Sequence, residues 1–138
     1  MKLLPYAGDV PSDLPTAPGW PHEDTAPGLG FAAHGAWTWL IVDDDGRIAG
    51  ECGVKGPPDG DGIVEIGYGL AGPSRGRGLG GRAVATLVDE LRRRPGVRAI
   101  EAEIAPDNVA SRRVVERLGF TLTDAGEEHV RYRLVVSA

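Results

Sequence analysis

Cysteine is nearly absent from this 138-residue chain: Cys52 stands alone. A lone cysteine excludes an intrachain disulfide and points to a reducing compartment. No window approaches the roughly 20 apolar residues of a membrane span. The opening stretch, MKLLPYAGDVPSD, is broken by Pro5 and Asp9 before it can form the apolar core of a signal peptide. The expectation is a cytoplasmic protein with no membrane attachment. The three histidines, His22, His34 and His129, are scattered without ligand spacing, so no metal site is expected. Lysine is scarce too, with the positive charge carried by arginine, and the net charge of −5 is the wrong sign for a general nucleic-acid binder.

What remains is ordinary globular composition, 41% hydrophobic and 25% charged, in a length that suits one domain over residues 1–138. Its charge is unevenly spread. Residues 1–70 carry eleven acids and three bases, whereas residues 71–138 carry nine acids and twelve bases. An acidic half beside a basic half suggests two partners of opposite sign.

Residues 1–36 hold six of the eleven prolines and little periodicity; irregular chain is expected, with a short helix near Asp24–His34. From Trp37 the pattern sharpens. Residues 38–43 and 47–55 read as a hairpin across the DDDG turn, and 63–70 (IVEIGYGL) as a third strand. Leu79, Ala83, Val84, Leu87, Val88 and Leu91 recur at helical spacing up to the Pro95-Gly96 stop. A strand at 97–104 follows, then a helix over 106–119 with Asp107 as its cap and Gly119 as its left-handed end. Residues 120–123 and 130–136 close the chain as strands. Strand 63–70, helix and strand 97–104 form a right-handed parallel crossover inside an otherwise antiparallel sheet, which makes the fold a single-domain α/β (α+β) one.

The most informative segment is Gly72-Pro73-Ser74-Arg75-Gly76-Arg77-Gly78-Leu79-Gly80-Gly81-Arg82, between a strand and a helix. Free N–H groups and the helix dipole favour an anion there, glycines admit close backbone approach, and three arginines add charge. The segment reads as a diphosphate cradle. Gly76, Gly78 and Gly81 also satisfy G-x-G-x-x-G, with Glu101 at a suitable distance for a ribose contact. Against a nicotinamide dinucleotide, three strands precede the unit, and too few residues follow it for the remaining strand–helix repeats.

Arg75-x-x-Gly78-x-Gly80 resembles the coenzyme A signature of the GNAT acetyltransferases, R/Q-x-x-G-x-G/A. Asn108-x-x-Ser111 followed by Leu118-Gly119-Phe120 resembles that superfamily's later motif, and EIGYGL (65–70) its ribosomal-protein N-terminal acetyltransferase subgroup. The resemblance spans about residues 37–135. It implies a mixed sheet splayed between strands 63–70 and 97–104, with acetyl-CoA as acetyl donor and an amine, small-molecule or peptide, as acceptor. The pantetheine arm would lie in the split, and the pyrophosphate on Arg75, Gly76, Arg77, Gly78, Leu79, Gly80 and Gly81. Asn108 would hydrogen-bond the pantetheine and Ser111 would lie near the sulfur. Two departures stand out. Residues 1–36 are short and proline-rich where the family builds a strand and two covering helices. Val115 occupies the place of a tyrosine thought to protonate the leaving thiolate.

Direct transfer to an amine in a ternary complex needs a base for the amine, a polarised thioester carbonyl and an acid for the thiolate. Strand alternation puts Glu65, Gly67 and Gly69 on one face, an acid beside two positions kept clear. Glu65 is the expected base, with Glu51 and Glu103 as alternatives. Asn108 and Ser111 share a helix face, and with Val115 unable to donate, Ser111 is the expected acid. A backbone N–H around Leu70 would polarise the carbonyl. Cys52 reads as a half-buried strand residue in preference to an acyl-carrying nucleophile. Trp20, His22 and Glu23 either line an acceptor pocket or pack a turn. A non-catalytic acyl-CoA sensor is the rival reading, and either a monomer or a homodimer is compatible with the sequence.

The cradle yields the first prediction. Acetyl-CoA should raise the thermal midpoint, because a ligand that binds only the folded state stabilises it, and NAD should not. The reverse pattern in a matched thermal-shift titration would favour the dinucleotide.

Overall fold

A computed structural model describes residues 1–137, with the side chain of His34 left aside. Seven strands form one sheet: β1 (Lys2–Pro5), β2 (Thr38–Val42), β3 (Ile48–Val54), β4 (Ile63–Leu70), β5 (Ala99–Ile104), β6 (Thr121–Ala125) and β7 (Val130–Val135). Their spatial order is β1-β2-β3-β4-β5-β7-β6. Among these seven strands only β4 and β5 pair in parallel, joined by the crossover helix α2 (Leu79–Arg92). The mixed, mostly antiparallel sheet is the one expected.

One sheet face carries the main core. The six apolar residues spaced along α2 are all buried there, against Ile41, Cys52, Val54, Val64, Ile66 and Ile100. Truncating a fully buried leucine such as Leu87 in this layer would cost about 2–5 kcal/mol. The shorter α3 (Val109–Arg117) closes the β5–β7 side of the same face, placing Val115 in the core beside Phe120 and Tyr132. Its cap is Asn108, whose Oδ1 accepts the Ser111 N–H at 3.2 Å. Asp107 lies one residue too early for that bond, so the sequence-based cap shifts by one. Gly119 takes the expected left-handed conformation, with φ 94°.

The opposite face is covered unevenly. Residues 1–36 supply β1, an edge strand the sequence did not announce, then loop, α1 (Thr25–Gly30) and a 3₁₀ turn at Phe31–His34. They build a second cluster of Trp20, Leu40, Ile48 and Ala71 over β2 and β3. Over β4, β5 and β7 this face instead displays partly exposed Glu65, Glu101, Glu103, Arg131 and Arg133.

β4 and β5 part midway along their length. Their pairing runs from Ile63↔Ala99 to Ile66↔Ala102. Beyond it, β4 stays with β3 as far as Gly50↔Leu70, while β5 stays with β7 as far as Ile104↔Val130. Gly67–Leu70 therefore border an opening in the sheet, which is the splay expected between these strands.

Close backbone approach limits the hairpin beside this opening. A Cβ on Gly53 would collide with the Trp37 carbonyl oxygen and approach the Thr38 Cα at 2.9 Å, backbone atoms that cannot step aside. Gly53→Ala should destabilise the protein by about 1–3 kcal/mol. Gly60→Ala, with nothing within 4 Å of the new Cβ, should stay within about 0.5 kcal/mol of the parent. Urea denaturation of both variants checks the pair.

Candidate active site

The glycine-rich turn delivers an uncapped helix start. Gly76 and Gly78 both adopt φ 77°, and a Cβ on either would meet nothing within 4 Å. Gly78 is the N-cap of α2 and offers no side chain, and the first intrahelical bond is donated by Arg82 to the Gly78 carbonyl. The N–H groups of Leu79, Gly80 and Gly81 are thus left without helical acceptors at the positive end of a 14-residue helix. A helix start of this kind offers free donors and a positive dipole end to an anion.

The three arginines divide their work. Arg75 folds back, its Nε donating to the Leu70 carbonyl at 3.2 Å, and so braces the turn against the end of β4. Arg82 points away, donating to both carboxylate oxygens of Asp44 at 3.1 and 2.9 Å. The Arg82 guanidinium, with the N-terminal ammonium, holds the Asp44 carboxyl well below the usual carboxylate range. Arg77 remains exposed beside the turn.

The opening in the sheet supplies backbone donors. Lys55 N–H donates to the Glu65 carbonyl and Ala71 N–H to the Ala49 carbonyl, so the odd-numbered residues of β4 bond toward β3. By the alternation of an antiparallel ladder, the N–H groups of Tyr68 and Leu70 face the other way, into the opening. Across it stands the first turn of α3, where Ser111 Oγ lies 2.8 Å from Tyr68 Oη. The Tyr68 ring in turn packs beneath the start of α2: a Cβ on Gly80 would sit 3.3 Å from its Cε2. Cradle, Tyr68 and Ser111 are therefore contiguous. Tyr68 was not singled out from sequence, where it reads as one more apolar-face strand residue.

The carboxylates separate sharply. Glu65 lies where β4 and β5 are still paired, opposite Glu101, and forms ion pairs with Lys55 Nζ and, at 3.6 Å, with Arg131. Glu103 pairs with Arg131 and with His129. Both belong to an ion-pair lattice on the open face. Glu51 is different: it is 4% exposed and opposite Gly69, in the opened part of β4. Its Oε1 accepts from Trp20 Nε1 at 3.1 Å and Thr25 Oγ1 at 2.8 Å, and its Oε2 meets His22 Nε2 at 2.9 Å. Asp24 N–H donates to His22 Nδ1 at 3.2 Å, so the ring proton sits on Nε2 and points to Glu51. A Cβ on Gly69 would collide with Glu51 Oε2 and come within 2.7 Å of the His22 ring. Trp20 and His22 of the GWPHEDT segment thus converge on a buried carboxylate; only the strand register, invisible in one sequence, brings it to Gly69. Cys52 is fully buried, and burial reinforced by the Glu51 charge pushes its thiol up to about 12. A thiol so held is a poor nucleophile.

This architecture has relatives. The "Acetyltransferase (GNAT) domain" family matches residues 12–121. YjdG of Bacillus subtilis, named an uncharacterized N-acetyltransferase, is 33% identical over 93 residues, 67% of this chain and 55% of its own length. The protein p20 of Bacillus licheniformis, with the same description, is 31% identical over 81 residues, or 59% of this chain and 46% of its own. The chain thus spans about half the length of these curated relatives. Among solved structures, the ribosomal L7/L12 α-N-protein acetyltransferase RimL in complex with coenzyme A superposes with a TM-score of 0.68 at 21% identity, covering 80% of this chain and 68% of that one. At that identity the likeness is one of fold. The chain belongs to the GNAT acetyltransferase family. Its single parallel strand pair, preceded by three antiparallel strands, is not the doubly wound sheet on which G-x-G-x-x-G binds a dinucleotide.

A charge placed in the cradle tests it. Gly78→Glu should abolish acetyl-CoA binding in calorimetry while the protein stays folded. Gly78→Ala, which carries the same left-handed strain of about 1–2 kcal/mol without the charge, should bind far better. Equal affinity of Gly78→Glu and the parent would remove the diphosphate from this turn.

Proposed function

We propose that the chain transfers an acetyl group from acetyl-CoA to a primary amine, directly and within a ternary complex. The observation that carries this reading is the alignment of the uncapped α2 start with an opening in the sheet, lined on one side by the N–H groups of Tyr68 and Leu70. The diphosphate would rest on Gly76–Gly81, and the arm would run past Tyr68, along Asn108 and Ser111. The thioester carbonyl would take a hydrogen bond from the Leu70 N–H, a preorganised donor where negative charge develops.

The amine would approach from the opposite face, where Glu51 and His22 stand over Gly69. We assign the proton-accepting role to Glu51 in preference to Glu65. Glu51 lies in register with the opened segment, and three donors hold it in one orientation. Glu65 is engaged by Lys55 and Arg131 and lies earlier on β4, where it is still paired with β5. A buried carboxylate beside the acceptor path also favours a cationic amine, whether a peptide N-terminus or a small molecule. The donor and the free cysteine suit a reducing, cytoplasmic setting.

Mixing the protein with acetyl-CoA and a panel of amines, and following free thiol, tests the reading. Amine-dependent thiol release supports it; acetyl-CoA binding with no release by any amine would favour an acyl-CoA sensor. Glu51→Gln should lower kcat about 100- to 10,000-fold with acetyl-CoA affinity little changed, the usual range for a lost general base. Glu65→Gln should lose less than tenfold. The opposite ranking would return the role to Glu65.

A further inference from the structure

Departure of the thiolate requires a proton, and the helix that borders the opening offers none from Val115, which is apolar and 1% exposed in the core. The phenol of the third tyrosine, Tyr132, is engaged elsewhere: it donates to Glu116 at 2.8 Å and accepts from Arg112 Nε at 3.1 Å. The hydroxyls that meet across the opening are Tyr68 Oη, from β4, and Ser111 Oγ, from α3, at 2.8 Å. Tyr68 also touches the cradle, since its ring lies against Gly80 at the start of α2. An arm extending from the cradle into the opening must therefore pass this pair of hydroxyls.

We infer that Tyr68 and Ser111 form a two-step proton relay to the leaving sulfur, with Ser111 the catalytic residue and Tyr68 the positioning residue that recharges it. The inference rests on the acetyl-transfer reading above. As the tetrahedral adduct collapses, the C–S bond breaks and its electron pair goes to sulfur. Ser111 Oγ gives its proton to that sulfur while the Tyr68 phenol proton passes to Ser111 Oγ. The phenolate regains a proton from solvent, and the proton taken from the amine returns to solvent from Glu51. The sum is amine plus thioester giving amide plus thiol. A serine hydroxyl alone is a weak acid; hydrogen-bonded to a phenol, whose ordinary pKa is near 10, it passes on a proton from a group matched to an alkyl thiol. The relay thus draws its proton from a phenol on the strand, on the cradle side of the opening, and passes it through a hydroxyl on the helix.

The test uses the full chain with acetyl-CoA and its best amine. Tyr68→Phe and Ser111→Ala should each lower kcat about 100-fold, the lower end of the range for general acid catalysis, with acetyl-CoA affinity within threefold of the parent. The double variant should be no slower than the slower single one, because the two hydroxyls act as one unit. Solvent deuterium titration of kcat should report two protons in flight in the parent and one in Tyr68→Phe, a difference that a packing role does not produce. Parent-like kcat in Tyr68→Phe would overturn the relay, as would losses in the double variant that multiply, or a fall in acetyl-CoA affinity matching the fall in kcat. Absence of thiol release by the parent chain itself would overturn the acetyl-transfer reading, and the relay with it. Release by the parent that Tyr68→Phe leaves untouched would overturn the relay alone.

Discussion

After Ile66 and Ala102, β4 and β5 cannot both keep their ladder and their outer partners, and each keeps the outer one. The rest of the site depends on that parting. A strand interior normally spends every backbone N–H on a neighbour, because an unmade backbone bond in a protein interior is costly. Here Tyr68 and Leu70 retain theirs, facing an opening that a ligand can fill. The opening is held from both sides, by the β3–β4 pairing and by the β5–β7 pairing, so it does not rely on a flexible loop. The same parting leaves room for α3 to present Ser111 across from Tyr68.

The second element, the uncapped start of α2, is coupled to the first through the chain itself. Only Ala71, a short 3₁₀ turn at Gly72–Ser74 and the Arg75–Gly78 stretch separate the end of β4 from the start of α2. Arg75 bonds back to the Leu70 carbonyl, so its guanidinium ties the end of β4 to the turn before α2. Arg82 is likewise drawn to Asp44, which ties the β2–β3 turn to the first turn of α2. The positive character of the cradle then comes mainly from backbone N–H groups and the helix dipole, with Arg77 beside them. Such a site is insensitive to side-chain rotamers, since its donors are part of the fold.

Much of this was legible in the sequence, and the exceptions share a cause. The strands from Thr38 onward, α2, α3 and the parallel crossover announce themselves through period, glycine punctuation and length, all of which are local. The edge strand Lys2–Pro5 does not, because four residues ending in proline carry too little pattern. The cap moved from Asp107 to Asn108 because both are capping residue types and only the geometry of the turn chooses. What sets Glu51 apart from Glu65 is the register of β3 against β4 and the point where β4 leaves β5, both non-local. Alternation correctly put Glu65 with Gly67 and Gly69 on one face, but could not reveal that Lys55 and Arg131 stand over the first of these and Glu51 over the last.

Glu51 also explains how the proline-rich residues 1–36 are fastened over one side of the sheet. Burying an unpaired carboxylate costs several kcal/mol, and removing a partner from a buried charge is correspondingly destabilising. Three donors from residues 20–25 meet this one carboxylate, so the segment is fastened to β3 by a polar anchor as well as by the apolar cluster around Trp20. Gly28 and Gly69 are part of the same arrangement: a Cβ on Gly28 would lie 3.4 Å from Glu51 Cγ, and one on Gly69 would displace the carboxylate outright. The glycines flanking Glu51 therefore serve packing around a charge, and the clear floor they leave on β4 follows from that packing. A side chain that fastens the covering segment is, by the same contacts, held within reach of whatever lies on Gly69.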